Sequence, residues 1–159
     1  MSEHDAKNIL FFSAARSDFG ILSGLLSKLS SNKKVNVGLI ISGSHLDKGF
    51  GNTGDEIKNY YYDNIFKVKI NHLGSDITSK NLTGLANMME KVGNIFEEQR
   101  PDMLIVLGDR QEILLASYCA LLNNVPISHI GGGDTTSGAI DDQIRHAVSQ
   151  MSDYHFVTN

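Results

Sequence analysis

Three short stretches of this 159-residue chain gather acids, bases and cations. Asp109 and Arg110 follow an apolar run at 103–107. His129 and Gly131-Gly132-Gly133-Asp134 follow a second run at 126–130. Asp141, Asp142, Arg145 and His146 stand where a helix would open. Carboxylates and imidazoles can move protons to and from a substrate, and guanidinium groups can take up the charge of a departing anion. That chemistry requires the groups to converge. A parallel α/β sheet would bring them together, because such folds bind ligands at the carboxyl ends of their strands.

Each group also has a plain structural use. Asp109 lies between a strand and a helix, where an aspartate often caps the helix and contributes about 1 kcal/mol. Asp141 and Asp142 suit the macrodipole at a helix start. Arg145 is four residues beyond Asp141, and His146 four beyond Asp142, so each pair shares a helix face. Three consecutive glycines permit close approach of a ligand or of backbone. His45 and His129 border glycine-containing loops and fit either a binding or a structural role. Arg16, beside a helix start, suits a phosphate and equally a solvated loop. No H-E-x-x-H or C-x-x-C spacing is present, so no dedicated metal site is expected. The first turn, SAARSDFG, lacks G-x-G-x-x-G, and Ser42-Gly43-Ser44 stands where an acid would hold a ribose. Neither NAD nor FAD is expected, and no other cofactor is called for.

Alternating strands and helices must position these residues. Residues 8–13 (NILFFS) and 35–42 (VNVGLIIS) are short apolar runs suited to buried parallel strands. Between them, Leu22, Leu25, Leu26 and Leu29 fall on one helical face, with Ser17 or Asp18 as the cap. The stretch GSHLDKGFGNTG (43–54) has four glycines and reads as a loop. Residues 55–62 predict a short helix, 65–70 a third strand and 71–80 a polar connection. Leu82, Leu85, Ala86, Met89, Val92, Ile95 and Phe96 predict the longest helix, over 82–100, ended by Pro101. Strand, helix, strand, glycine loop, helix and strand follow. Six strands alternating with helices predict one domain with a doubly wound, mostly parallel Rossmann-like sheet.

Composition narrows the function classes. A net charge of −4 gives no reason to expect nucleic acid or an anionic membrane as partner. The single cysteine, Cys119, allows no internal disulfide and suits a reducing cytoplasm. No apolar run approaches the roughly 18 residues of a membrane span, and the polar start carries no signal-peptide core. A cytoplasmic protein is expected.

GDR at 108–110, HIGGGD at 129–134 and GAIDDQIRHA at 138–147 resemble the hydrolysing UDP-N-acetylglucosamine 2-epimerases of sialic and legionaminic acid synthesis. AARSDFG (14–20) and GSHLDKGFGNT (43–53) match the same family in the same order, so the resemblance covers essentially the whole chain. It implies the first half of a glycosyltransferase-B type fold, with a nucleotide sugar bound between two Rossmann-like domains. Residues 1–159 would be the N-terminal domain; the second, nucleotide-binding domain would be absent from this chain, leaving it inactive alone. The implied substrate is UDP-GlcNAc or a UDP-2,4-diacetamido-trideoxyhexose, and family members assemble as homo-oligomers. Position by position, the resemblance implies catalytic roles for Asp109 and Asp141. It places Arg16 and Arg110 near the diphosphate, and Arg145, His45, His129 and His146 among the substrate-binding positions. Many relatives have glutamate directly after the HI of the glycine loop, where this chain has Gly131. Asp134, three residues on, is the expected carboxylate from that loop. Two other readings stay open: a transferase half of the same fold type, and a stand-alone Rossmann-like domain that binds a ligand or partner without turnover.

Overall fold

The computed structural model describes residues 6–47, 49, 51, 53–57, 64–70, 79–135 and 140–158. Its strands are β1 (Lys7–Ser13), β2 (Val35–Ile41), β3 (Asn64–Lys67), β4 (Met103–Leu107), β5 (Ile127–Ile130) and β6 (Tyr154–Phe156). Its helices are α1 (Arg16–Ser30), α2 (Gly54–Ile57), α3 (Ser79–Gln99), α4 (Gln111–Leu122) and α5 (Ile140–Met151). The strands form one sheet in the order β3-β2-β1-β4-β5-β6, and every pairing is parallel.

The period-2 alternation of β1 shows why the sheet is clothed on both faces. Leu10 and Phe12 enter one core with Leu104 and Val106 of β4, Met88 and Val92 of α3, Ile113 of α4 and Val148 of α5. Phe11 points the other way, into a second core with Phe19, Leu22 and Leu26 of α1 and Ile57 of α2. Helices α3, α4 and α5 thus lie on one face and α1 and α2 on the other. The chain leaves β1 and β4 in opposite directions, so the crevice of a doubly wound sheet opens between their carboxyl ends. Ile40 of β2 is fully buried in the first core. Ile40→Val should cost about 1 kcal/mol, read as a melting point about 2–4 °C lower. An unchanged melting point would place that methyl group outside the close-packed core.

Several local expectations are corrected. Helix α1 begins at Arg16 with Ala15 as its N-cap, so neither Ser17 nor Asp18 caps it. Asp18 instead sits in the first turn and accepts from the backbone N–H of Ala14 (3.2 Å) and Ala15 (3.0 Å). Leu22 and Leu26 are buried, whereas Leu25 turns outward. Residues Gly43–Leu46 form a short 3-10 turn inside the expected loop. The expected helix at 55–62 is seen as α2, with 58–63 outside the described residues, and the polar connection at 71–78 also lies outside them. Helix α3 starts at Ser79, and its buried stripe is Leu85, Met88, Val92 and Phe96, with Leu82 exposed. At the sheet edge, Tyr154 and Phe156 of β6 are more than half exposed.

Candidate active site

The carboxyl ends of β4 and β5 and the first turns of α5 converge on Arg145. Its side chain is nearly buried, and its Nη2 forms an ion pair with Oδ2 of Asp109 in the turn after β4. Its Nη1 donates to Oδ1 of Asp142 (3.2 Å) and to the main-chain carbonyl of Asp134 (2.6 Å). One planar guanidinium, with its donors in a fixed fork, therefore ties together three segments of chain. Asp109 keeps a second oxygen, Oδ1, with no hydrogen bond or ion pair among the described residues, and its side chain is 26% exposed. The helix-cap reading of Asp109 does not hold: Arg110 occupies the N-cap of α4 and no side chain caps it. The glycine loop carries Asp134 outward, where its Oδ1 accepts from the Thr158 hydroxyl (2.9 Å).

Asp141 and His146 are placed differently. Both are exposed, and within α5 Arg145 pairs with Asp142, three residues before it, rather than with Asp141, four before it. The i,i+3 contact makes Asp142 the acid of this helix that shares Arg145 with Asp109. Asp142 is a site residue that the sequence reading left out of its catalytic set.

A second charged group spans the crevice between β1 and β4. Asp18, buried at the start of α1, receives an ion pair from Nε of half-exposed Arg110 (3.8 Å). Buried Glu112 of α4 lies beside them; burial pushes its carboxyl pKa up, Arg110 opposes that shift and Asp18 adds to it. Its Oε1 would stand 2.9 Å from a Cβ at Gly43, and the Ala14 carbonyl 2.6 Å from it, so only glycine fits there. Glu112 and Asp18 were also missed, since a lone acid in a first helical turn signals no more than the dipole.

Further along the rim, Arg16, Phe19, Gly20, Ser23, His45, Thr53 and Ile57 line a cavity of about 180 Å³. His45 forms its inner wall and is fully buried, edge-on to the Phe19 ring. Ser13 Oγ donates to the Ala15 carbonyl (3.3 Å) and so accepts from His45 Nε2 (2.9 Å), leaving Nδ1 to accept from the Thr53 hydroxyl (2.8 Å). His129 is likewise fully buried, with Nε2 2.8 Å from the Gly108 carbonyl and Nδ1 3.0 Å from Ser149 Oγ. Both ring nitrogens are engaged by protein, and the ring lies behind the rim. No group of three His, Cys, Asp or Glu able to hold a metal occurs among the described residues.

Residues 27–159 match the family described as "UDP-N-acetylglucosamine 2-epimerase". The chain belongs to that family. It is 31% identical over 151 residues to a UDP-N,N'-diacetylbacillosamine 2-epimerase (hydrolyzing) of Legionella pneumophila, covering 95% of this chain and 40% of the relative. It is 34% identical over 153 residues to a GDP/UDP-N,N'-diacetylbacillosamine 2-epimerase (hydrolyzing) of Campylobacter jejuni, covering 96% and 39%. Its fold matches the UDP-GlcNAc 2-epimerase of Neisseria meningitidis, solved bound to UDP-GlcNAc, with a TM-score of 0.75 at 18% identity over 94% of this chain and 40% of that one. The fold is the first half of the glycosyltransferase-B type. The 2-epimerase-family chain thus spans about 40% of the length of these relatives.

In this 2-epimerase-family chain, the rim holds an anchored carboxylate, Asp109, and the guanidinium groups of Arg16 and Arg110. The buried histidines add a pH dependence. Burial lowers the pKa of both His45 and His129 below the ordinary imidazole value. The unfolded chain therefore takes up these protons at higher pH than the folded chain. Stability should be retained above about pH 7 and fall as pH drops through about 6.5 toward the depressed folded values. Glu112 has the opposite sign, its raised pKa adding stability as pH falls, so the Glu112→Gln background isolates the histidine contribution. Urea midpoints that fall between about pH 7.5 and about pH 5.5 in that background would agree with this. A flat or rising midpoint would contradict it.

Proposed function

We propose that this chain is the N-terminal half of a hydrolysing UDP-hexosamine 2-epimerase, acting on UDP-GlcNAc or a UDP-2,4-diacetamido-trideoxyhexose. The observation that carries the proposal is Asp109, at the carboxyl end of β4, with Oδ2 anchored on Arg145 and a side chain 26% exposed. In the proposed reaction a carboxylate takes the C2 proton as UDP leaves C1, giving a 2-acetamidoglycal. Water then adds its hydroxyl at C1, and a proton returns to the opposite face of C2. The products are UDP and a free 2-epimerised N-acetylhexosamine. Asp109 is the leading proton-transfer group, with Asp141 and Asp134 supplying further carboxylates from α5 and the glycine loop. Arg16 and Arg110 take the diphosphate. Arg145 orders the carboxylates, His45 shapes the 180 Å³ cavity, and exposed His146 is a rim contact. No cofactor takes part.

The relatives' additional length supports a second domain, and exposed Tyr154 and Phe156 are suited to being covered by it. Tyr118, Leu121 and Leu122 on the outer face of α4 are similarly suited to a homo-oligomer contact. No described helix is long and apolar enough to cross a membrane, which accords with the proposed cytoplasmic role in sialic- or legionaminic-type sugar synthesis.

The test combines the chain with the C-terminal part of the Campylobacter relative, fused or added in trans, and supplies each UDP-sugar without an acceptor. Release of UDP together with a free 2-epimerised sugar is expected only in the complemented protein. Turnover that requires an acceptor would identify a transferase instead. Tight UDP-sugar binding by the chain alone, with no turnover after complementation, would identify a binding domain.

A further inference from the structure

Burying an imidazole strips water from two polar nitrogens, a cost that only well-placed hydrogen bonds offset. The partners of His129 are therefore informative. A carbonyl can only accept, so Nε2 carries the ring proton and donates it to Gly108, the residue immediately before Asp109. Nδ1 is then the acceptor for the Ser149 hydroxyl. Ser149 lies one helical turn beyond Arg145, whose guanidinium holds Asp109 from the other side. The glycine loop closes on the same ring. A Cβ at Gly132 would come within 2.7 Å of Ser149 Oγ and 3.0 Å of His129 Nδ1, while Gly131 and Gly133 adopt φ of +77° and +85°. The turn after β4, the loop after β5 and helix α5 all meet at one buried imidazole.

We propose that His129, oriented by Ser149, is a positioning residue that locks the Gly108–Asp109 turn to α5 and so fixes Asp109 against Arg145. The inference rests on the reading of Asp109 as a proton-transferring carboxylate. His129 touches no substrate and acts through its neighbour. Burial lowers its pKa, with Arg145 and His155 acting the same way and the Gly108 carbonyl and Asp109 opposing. The ring is thereby kept neutral, as one donor and one acceptor nitrogen require. Small misplacements of a reacting group are costly: about 1 Å can remove a hundredfold in rate.

Imidazole nitrogen NMR on the 159-residue chain should show His129 as the neutral Nε2–H tautomer at neutral pH. In the complemented enzyme, Ser149→Ala and Gly132→Ala should each lower kcat about tenfold or more with KM unchanged. Ser149→Thr, which keeps the hydroxyl, should restore kcat. An Nδ1–H tautomer in the unmodified chain, wild-type kcat in both variants, or a loss confined to KM would overturn the proposal. The last outcome would mean direct contact with substrate. If Asp109→Asn abolishes turnover while the Ser149 and Gly132 variants do not, the positioning role alone fails. If Asp109→Asn turns over normally, the catalytic reading fails, and the tautomer still decides whether the link to Gly108 exists. That spectrum also decides the link if the complemented protein has no turnover.

Discussion

Asp109→Asn is expected to lower turnover of the complemented enzyme by about a hundredfold or more, equivalent to about 2.7 kcal/mol of transition-state stabilisation. The amide keeps the shape of the carboxylate and can still accept from Arg145 through its oxygen. The fold should therefore survive, and Asp142 continues to hold the guanidinium. What is lost is a group that can accept a proton from carbon. The loss should appear in kcat at saturating UDP-sugar and leave KM unchanged. Equal turnover of variant and wild type would remove Asp109 from the proton-transfer role.

Arg145→Met is expected to damage the fold itself. Arg145 is 10% exposed at its side chain and bridges Asp109, Asp142 and the Asp134 carbonyl. Methionine fills much of the volume but leaves two partly buried carboxylates facing each other without a cation. Removing one member of such a group costs about 3–5 kcal/mol when buried, and the exposure of Asp109 and Asp142 argues for the lower end. A fall of about 6–12 °C in melting temperature follows for a chain of this length. Arg145→Lys, which keeps the charge but not the fork, should fall between the two. A methionine variant as stable as wild type would show that the three contacts contribute nothing net. In the complemented enzyme, both substitutions should also reduce activity at temperatures where the fold persists, because Asp109 loses its anchor.

The sheet was readable because buried parallel strands leave a plain trace. The runs around Phe11, Ile40 and Ile105 are apolar on both faces, and β4 falls where its pattern placed it. Helix ends were less legible. The start of α1 at Arg16 depends on Asp18 folding back onto two backbone amides, a contact that the spelling SAARSDFG does not distinguish from a turn. The rim was legible as a set of strand ends. Asp109 and Arg145 do meet, although they are 36 residues apart. Which acid of α5 joins them was not legible, since Asp141 and Asp142 differ only by about 100° around the helix axis. The histidines illustrate the same boundary. A histidine next to glycine reads alike whether its ring faces substrate or, as His45 and His129 do, turns inward to hydroxyl partners.

Cys119, the chain's one thiol, lies buried where α4 meets α3, its Sγ 3.6 Å from the Met89 carbonyl. Burial raises its pKa, so little thiolate forms at neutral pH while the two helices stay together. The chain therefore carries its own chemical clock. A maleimide or disulfide reagent labels it through opening of the α3–α4 seam, so the labelling rate reports the opening rate at saturating reagent and the opening equilibrium at low reagent, with no engineered probe.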